Sequence, residues 1–315
     1  MHWLLRKLGL SKPPEPEGPV SPFPRDATMF FCIGAQKAGT SWLHDYLSPS
    51  GEVHFSRNKE LHYFDVRAGR GGMALRVRVN AMHVLTDKLD TNNIRLNKVV
   101  VDQIRDAADL LSIYTGQFQG EGRHDPYLAY LAQGWNGQPV IGDITPSYCT
   151  LDREHFADMA HIGQARFIFI LRDPVSRMWS HIRMNASQQV GAGADAETLA
   201  QACRDWVQKL VDMDKLGQIE RADYARTMTE LEAVVPAERI LYVFYEELFE
   251  GDATRQICDF LGIAHRRPEA EKRVNQGTSV PLPDDIRNIF RQAFEPQYEA
   301  MRARFGDRIP DSWMT

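Results

Sequence analysis

A strand, a glycine loop and a helix follow one another near the start of the chain, and this succession most constrains the fold. The stretch MFFCI, residues 29–33, is a continuous apolar run that ends at a glycine, as expected for a buried parallel strand. After the loop GAQKAG, the stretch TSWLHDYL, residues 40–47, has apolar residues at helical spacing. We expect Thr40 or Ser41 to cap this helix. This order of elements forms an anion-binding cradle at a helix N-terminus.

The loop differs from the loop that binds nucleoside triphosphates, which reads G-x-x-x-x-G-K-[ST]. Gly34 and Gly39 keep the glycine spacing, but the lysine lies two residues before the second glycine, as Lys37. In magnesium-dependent NTPases, the lysine and the hydroxyl after the glycine serve the terminal phosphates and the metal. We therefore expect the backbone amides of residues 38–41 and the side chain of Lys37 to bind a different anion. The alternative is a plain strand-to-helix turn without a ligand.

Three further apolar runs, residues 52–56, 165–173 and 239–248, alternate with helical patterns. This alternation predicts an α/β fold of three layers, α/β/α, with a central parallel sheet like that of the P-loop NTPases. We expect one domain over residues 28–315. Residues 66–140 are less regular and form a candidate helical insertion on the substrate side, in which residues 87–118 look helical towards their end.

Composition excludes several classes of function. The formal net charge of -5 over 315 residues gives no general field for nucleic acid, so we expect no nucleic-acid partner. The four cysteines lack C-x-x-C spacing, which argues against a zinc site and favours a cytoplasmic location. No apolar run approaches the roughly eighteen residues that span a membrane. Residues 1–27 are an N-terminal segment with a proline-rich linker, and residues 1–10 are either a weak membrane-surface anchor or a docked terminus.

A second candidate element is RNKELHYFD, residues 57–65. Glu60 lies between Lys59 and His62 and beside two aromatic residues, where neighbouring groups can tune a general base. His62 is the second candidate for the base. The alternative is a solvated charge cluster at the end of a strand.

A third candidate element is LRDPVSRMWSHI, residues 171–182. Arg172 ends an apolar strand and can bind a phosphate through paired hydrogen bonds, and Ser180 can add another from the following helix. Asp173 before a proline is typical of a turn and a helix cap. The alternative role for Asp173 is the magnesium-binding aspartate of an NTPase.

Together these elements resemble the sulfotransferase family that uses 3′-phosphoadenosine 5′-phosphosulfate, above all its bacterial and heparan-sulfate-like branch. Residues 37–43 match the family pattern K-x-G-T-[ST]-x-L, and residues 172–180 match R-[DN]-P-x-x-R-x-x-S. Residues 59–65 match K-E-x-H-[FY]-F-D, and residues 142–148 are similar to G-E-x-[ST]-P-x-Y. Several separated motifs in the right order are more specific than any one of them.

The resemblance implies the donor, the roles of the site residues and a site without a metal. Lys37 and the loop would hold the 5′-phosphosulfate, Arg172 and Ser180 the 3′-phosphate, and Glu60 would act as the base. Tyr224 would approach the adenine, with a core tyrosine as the alternative. The Trp42 side chain is expected to pack, with its backbone contributing to the loop. The donor-binding residues expected on this basis are Lys37, Ala38, Gly39, Thr40, Ser41, Trp42, Arg172, Ser180 and Tyr224.

The acceptor stays open at this stage. Glycosaminoglycan-modifying members have a lysine where this chain has Ile144, and their basic C-terminal loop is reduced here to Arg273. A highly anionic polysaccharide is therefore disfavoured, and a sugar, a lipid head group, a small alcohol or an amine are the candidates. The aromatic residues of the insertion either stack on sugar rings or fill a core; they are Tyr114, Phe118, Tyr127, Tyr130 and Trp135. Two alternative functions are a P-loop kinase or NTPase and a non-catalytic nucleotide-binding protein.

Overall fold

A computed structural model describes residues 21–89, 94–115, 124–191, 193–249, 252–268 and 280–314. Its centre is a sheet of five parallel strands in the order β2-β3-β1-β4-β5. The strands are β1 (Thr28–Gly34), β2 (Val53–Phe55), β3 (Val140–Ile144), β4 (Arg166–Leu171) and β5 (Ile240–Phe244). All four strands expected from the sequence are present.

Helices connect and cover the strands. In chain order they are α1 (Thr40–Leu47), α2 (Tyr63–Arg67), α3 (Gly72–Thr86), α4 (Ile94–Thr115), α5 (Asp125–Leu131), α6 (Arg153–Ala160), α7 (Pro174–Val190), α8 (Ala196–Asp212), α9 (Tyr224–Glu232), α10 (Asp252–Leu261) and α11 (Asp284–Phe305). Asp173 caps α7, because its carboxylate accepts a hydrogen bond from the Ser176 amide at 2.7 Å. The cap expected at this position is confirmed.

The sheet is covered on both faces. Every residue of β3 is buried, as are all residues of β1 and β4 after the first of each strand. Because alternate residues of a strand point to opposite faces, continuous burial requires a layer of structure on each side. The expected three-layer α/β fold with a central parallel sheet is therefore confirmed.

The sequence did not indicate strand β3, although it lies next to the central strand. Its residues VIGDI include a glycine and an aspartate, both of which are rare in strands. The glycine is required by packing: a Cβ on Gly142 would lie 2.3 Å from the Phe30 ring and 2.6 Å from the Phe55 ring. The aspartate is accommodated because three hydroxyl groups donate hydrogen bonds to it.

The start of α1 differs from the expectation. The N-cap residue is Gly39, and no side chain accepts a hydrogen bond from the first turn. Neither Thr40 nor Ser41 caps the helix, because the loop turns into it through a left-handed residue, Gly39, with φ 84°. The first amides of α1 therefore keep their hydrogen-bonding capacity for another acceptor.

Residues 66–140 contain helices α3, α4 and α5 between strands β2 and β3, and the helix expected towards the end of residues 87–118 is α4. Tyr127 and Tyr130 fill the core, with 0% and 4% of their surfaces exposed. Phe118 and Arg273 lie outside the described residues, as do residues 1–20. Within the described residues, no helix is both long enough and apolar enough to cross a bilayer.

Candidate active site

The candidate residues meet at the carboxyl ends of the parallel strands, where α/β sheets bind ligands. Each strand leads into a loop that supplies a side chain to this region. The contributing residues, in the order β1 to β5, are Lys37, Glu60, Ser147, Arg172 and Tyr245. Strand β1 lies between β3 and β4, so the chain leaves the centre of the sheet in both directions, which opens a crevice at this edge.

The glycine loop packs closely against the loop after β5. A Cβ on Gly39 would lie 2.9 Å from Leu248 Cδ1 and 3.0 Å from Tyr245 Cδ2. Gly39 also has a positive φ of 84°, which other residues adopt only at a cost. Lys37, at φ 71°, adopts the same left-handed region without being glycine. Such strain in a loop over a helix N-terminus is typical of functional sites.

The Lys37 ammonium lies in a basic environment. Its Nζ is 3.6 Å from the sulfur of Met184. Burial lowers the pKa of Lys37, the charges of Arg172 and Arg183 lower it further, and Glu60 offsets part of this effect. Within the described parts of the chain, Lys37 forms no ion pair with a carboxylate.

Arg172 is joined to the glycine loop. Its Nη1 donates to the backbone oxygen of Lys37 at 2.6 Å, and its guanidinium carbon lies 4.3 Å from the centre of the Tyr245 ring. The hydroxyl of Tyr224 donates to the backbone oxygen of Arg172 at 2.9 Å. The buried Nε of Arg172 has no hydrogen-bond partner among the described residues. One N–H group of this arginine is therefore left for a ligand.

Three further arginines surround this position. Arg177 is 1% exposed, and its Nε lacks a partner among the described residues, as does the Nε of Arg183. Arg221 donates to Gln36 Oε1 of the glycine loop at 2.9 Å. Burial lowers the pKa of Arg177, and the positive charges of Arg221 and Arg172 act in the same direction. We call Lys37, Arg172, Arg177, Arg183 and Arg221 the cation cluster.

The cation cluster fits a bound anion with several oxygen atoms. A buried cation without a partner is costly, and none of the five pairs with a carboxylate in the described structure. The same positive charge is visible at His181, whose pKa falls to about 4 through burial and the charges of Arg177, Arg221 and Lys37. Phosphate or sulfate groups would supply both the missing charge and the missing hydrogen-bond acceptors.

The candidate base lies across the crevice, in residues 59–63, which we call the Glu60 loop. Lys59 Nζ donates to Ser41 Oγ at 2.7 Å and to Glu60 Oε1 at 3.2 Å, which ties this loop to the start of α1. His62 Nε2 is 3.8 Å from Glu60 Oε2. The Glu60 side chain is 42% exposed, so a substrate can reach its carboxylate.

His62 is oriented by a hydrogen-bonded group. Its Nδ1 is 2.7 Å from Asp65 Oδ2 and 3.0 Å from the hydroxyl of Ser147, which also donates to Asp65 at 2.7 Å. Burial alone would raise the pKa of Asp65, but hydrogen bonds and charge from His62, together with Ser147, hold it below its usual range. Asp65 thus stays ionised and fixes the His62 ring.

A buried aspartate braces the end of the Glu60 loop. Asp143 accepts hydrogen bonds from Thr145 at 2.6 Å and from Tyr127 and Tyr148 at 2.9 Å each. The Tyr148 oxygen in turn accepts the Tyr63 amide at 3.1 Å. Burial raises the pKa of Asp143, and the three hydroxyls act against that shift. The motif at residues 142–148 therefore supports the site from beneath.

With this geometry in place, the comparison with known sequences is decisive. A profile described as "Sulfotransferase family" matches residues 30–267, which is most of the chain. The chain belongs to the sulfotransferase family. Human carbohydrate sulfotransferase 15 is 26% identical over 179 residues, which are 55% of this chain but only 30% of the human protein.

A solved structure of a sulfotransferase from Alicyclobacillus acidocaldarius shares the fold of this family member. The two chains superpose with a TM-score of 0.56 at 19% identity, and the match covers 91% of this chain and 98% of the other. At that identity, the likeness establishes the fold, while the roles of individual residues are proposals.

In this sulfotransferase-family member, most of the residues expected from the sequence motifs lie close to one another. Arg172 donates to the backbone oxygen of Lys37, and His62 lies beside Glu60. Ser41 is joined to the Glu60 loop through Lys59. Their chemical roles stay predictions until they are measured.

For three expected donor-binding residues the structure shows packing or an unpartnered side chain, and their binding roles stay predictions. Trp42 is 6% exposed and stacks on Tyr46, with ring centres 5.3 Å apart, so its side chain packs. Tyr224 is fully buried, which agrees with the core alternative, and it supports Arg172 through its hydroxyl. Ser180 is half-buried on α7, and its hydroxyl forms no hydrogen bond with the described residues.

Sequence reasoning gave no role to three members of the cation cluster: Arg177, Arg183 and Arg221. Arg177 lay within the matched motif, and helical spacing could have placed it with Ser180 and Met184 on one face of α7. Arg221 lies in a short turn before α9, far from the loop in sequence. No local pattern indicates that it contacts Gln36.

Proposed function

We propose that this protein transfers a sulfuryl group from 3′-phosphoadenosine 5′-phosphosulfate to a hydroxyl or amine acceptor by in-line displacement. The observation that carries the proposal is the cation cluster, which has no carboxylate partner in the described residues and faces a carboxylate across one crevice. Such an arrangement suits an anionic donor on one side and an acceptor that must lose a proton on the other.

The donor would supply an activated sulfuryl group with a phosphate as its leaving group. Lys37 and the amides of residues 38–41 bind the 5′ end, and Arg172 with Ser180 binds the 3′-phosphate. Lys37 also stabilises the charge that grows on the leaving phosphate, which lowers the barrier because this charge is larger in the transition state than in the ground state. These cations provide the positive charge that a metal provides in many phosphoryl-transfer enzymes.

Glu60 accepts the proton of the acceptor group. Its carboxylate is held between Lys59 and His62 and remains accessible. His62, fixed by Asp65 and Ser147, is the second candidate for the base. Both groups lie on the Glu60 loop, which Lys59 connects to the start of α1.

A carbohydrate is the first acceptor class to test, because the human relative is named a carbohydrate sulfotransferase. Lipid head groups, small alcohols and amines follow. We also propose a cytoplasmic location; the membrane contact of residues 1–10 stays a prediction on a segment outside the described residues.

The test is transfer of labelled sulfate from the donor to a panel of neutral sugars, glycolipids, phenols and amines. We expect a labelled product from the wild-type chain and about a hundredfold slower labelling from Glu60→Gln at unchanged donor affinity. Donor binding without transfer to any acceptor or to water would instead support a non-catalytic nucleotide-binding protein.

A further inference from the structure

We propose that Arg78 and Tyr114 are positioning residues that hold the Glu60 loop in the conformation that directs Glu60 at its substrate. The inference rests on the proposed function, because it concerns the same base. Both residues belong to the helices between β2 and β3, Arg78 to α3 and Tyr114 to α4.

The contacts form a continuous chain of hydrogen bonds. Arg78 Nη2 donates to the backbone oxygen of Glu60, and Arg78 Nη1 donates to the Tyr114 hydroxyl. That hydroxyl donates its own proton to the backbone oxygen of Leu61. The guanidinium carbon of Arg78 also lies 5.6 Å from the centre of the Tyr114 ring. Side chains from two helices thus donate hydrogen bonds to two consecutive carbonyl groups of the Glu60 loop.

The backbone conformation of the Glu60 loop requires support from neighbouring groups. Glu60 has φ 58° and His62 has φ 56°, both in the left-handed region that residues other than glycine rarely adopt. A strained conformation persists only where its surroundings determine it. The direction of the Glu60 side chain follows from its backbone, since that side chain is 42% exposed and its described polar contacts are with Lys59 and His62.

The two helices differ in how firmly they are held. Helix α4 buries Val100, Leu110 and Ile113, whereas α3 has no buried residue and exposes Met73 and Val77. Arg78 therefore links a weakly packed helix to the Glu60 loop, while Tyr114 links the same loop to the core. A displacement of α3 would therefore shift the Glu60 backbone through the hydrogen bond from the Arg78 guanidinium.

The experiment compares Arg78→Met, Arg78→Lys and Tyr114→Phe with the matched control Arg76→Met. Arg76 lies on the same helix, is exposed, and makes no polar contact with the described residues. Two quantities are measured: release of adenosine 3′,5′-bisphosphate from the sulfuryl donor, with water and with the acceptor panel, and thermal stabilisation by the bisphosphate. The first reports kcat, and the second reports the donor side alone.

We expect Arg78→Met to lower kcat by about tenfold or more while bisphosphate affinity stays within twofold of wild type. Arg78→Lys should recover part of the loss, because an ammonium can still donate to the Glu60 oxygen. Tyr114→Phe should lower kcat by a smaller factor, and Arg76→Met should match the wild type. Loss of kcat and bisphosphate affinity together in Arg78→Met would indicate a merely structural role and overturn the proposal.

A double-mutant cycle separates this proposal from the proposed function. If Arg78 acts through Glu60, adding Arg78→Met to Glu60→Gln should slow turnover by less than about twofold further. Fully multiplicative losses, or an Arg78→Met variant as active as wild type, would overturn the positioning role and leave the sulfotransferase proposal intact. A wild-type chain that never releases the bisphosphate would overturn both.

Discussion

The two sides of the crevice differ in how their charged groups are paired. On the donor side, the cation cluster contains arginine N–H groups that find no acceptor among the described residues. On the acceptor side, Glu60 contacts Lys59 and His62, and Asp65 contacts His62 and Ser147. The cation cluster lacks a carboxylate partner among the described residues. The charged groups on the other side pair with one another, and there only Asp65 Oδ1 is a buried oxygen without a described hydrogen-bond partner.

This difference indicates where binding energy is available. An incoming anion would relieve the repulsion and the buried, unpaired donors of the cation cluster, so its affinity should be high. The acceptor side offers no such reward, because its charges are already paired. Instead Glu60, the proposed base, is held in position before an acceptor arrives, as proton transfer requires.

The largest effect should follow removal of the donor-side ammonium. We expect Lys37→Ala to lower kcat by about 100- to 1000-fold, as removal of a preorganised charge at a developing anion typically does. Turnover of the labelled donor measures this loss, and Lys37→Arg, which keeps the charge, should lose less. A Lys37→Ala chain within threefold of wild type would show that the cation cluster does not serve the transition state.

The second-largest effect on turnover should follow substitution of Glu60, the proposed base. Glu60→Gln should slow turnover by about a hundredfold or more, with bisphosphate affinity unchanged, because the variant keeps the shape but loses the proton acceptor. Steady-state kinetics and calorimetric titration give the two quantities. Unchanged turnover with intact donor binding would transfer the role to His62 or to another group.

Donor selectivity should depend on Arg172. We expect Arg172→Ala to weaken adenosine 3′,5′-bisphosphate binding by about 10- to 100-fold and to affect ADP less, because ADP lacks the 3′-phosphate. Titration of both ligands against wild type and variant measures the ratio. Equal weakening of the two would remove Arg172 from 3′-phosphate recognition.

Substitution of an arginine without a carboxylate partner should raise the free energy of unfolding, and substitution of an arginine with such a partner should lower it. Arg177→Met removes a buried cation that has no carboxylate partner among the described residues, so the ligand-free chain should gain about 1 kcal/mol or more and lose most of its stabilisation by the bisphosphate. The matched control, Arg226→Met, removes an arginine that pairs with Asp152 and should lower stability. Thermal unfolding with and without ligand checks both, and an Arg177→Met chain less stable than wild type would contradict the comparison.

The smallest effect concerns pH. The folded-state pKa of His181 is about 4, below its ordinary 6.5, so the unfolded chain takes up the proton first as pH falls. Its contribution to stability is therefore complete above about pH 6.5 and is lost towards pH 4, by about 1 kcal/mol after its partial exposure is allowed for. Bound bisphosphate should flatten this slope by raising the pKa, and His181→Gln should remove it. An identical slope in the variant would contradict this assignment.

Local sequence patterns predicted the structural elements that depend mainly on residues adjacent in the sequence. The apolar runs at residues 29–33 and 165–173 and the Asp173-Pro174 turn lie where the sequence indicated. Strand β3 escaped notice because Gly142 and Asp143 are unfavourable in isolation and acceptable only beside Phe30, Phe55 and three hydroxyl groups.

The site was predicted less completely than the fold. The resemblance to a family supplied Lys37, Glu60 and Arg172, whereas Arg183 and Arg221 reach the crevice only through tertiary packing. The expected cap at Thr40 or Ser41 was wrong because the loop enters α1 through left-handed Gly39, and Ser41 instead accepts a hydrogen bond from Lys59, eighteen residues away. Contacts across that separation leave no periodic signature in the sequence.

A thermal-shift titration shows whether the cation cluster binds a 3′,5′-bisphosphate. Adenosine 3′,5′-bisphosphate, ADP and magnesium-ATP are compared on the wild-type chain and on Arg172→Ala. At a hundred times its dissociation constant, the bisphosphate should stabilise the wild type by about 2.7 kcal/mol, and ADP and magnesium-ATP should stabilise it less. Stabilisation by magnesium-ATP alone would contradict the account and assign the glycine loop to a nucleoside triphosphate.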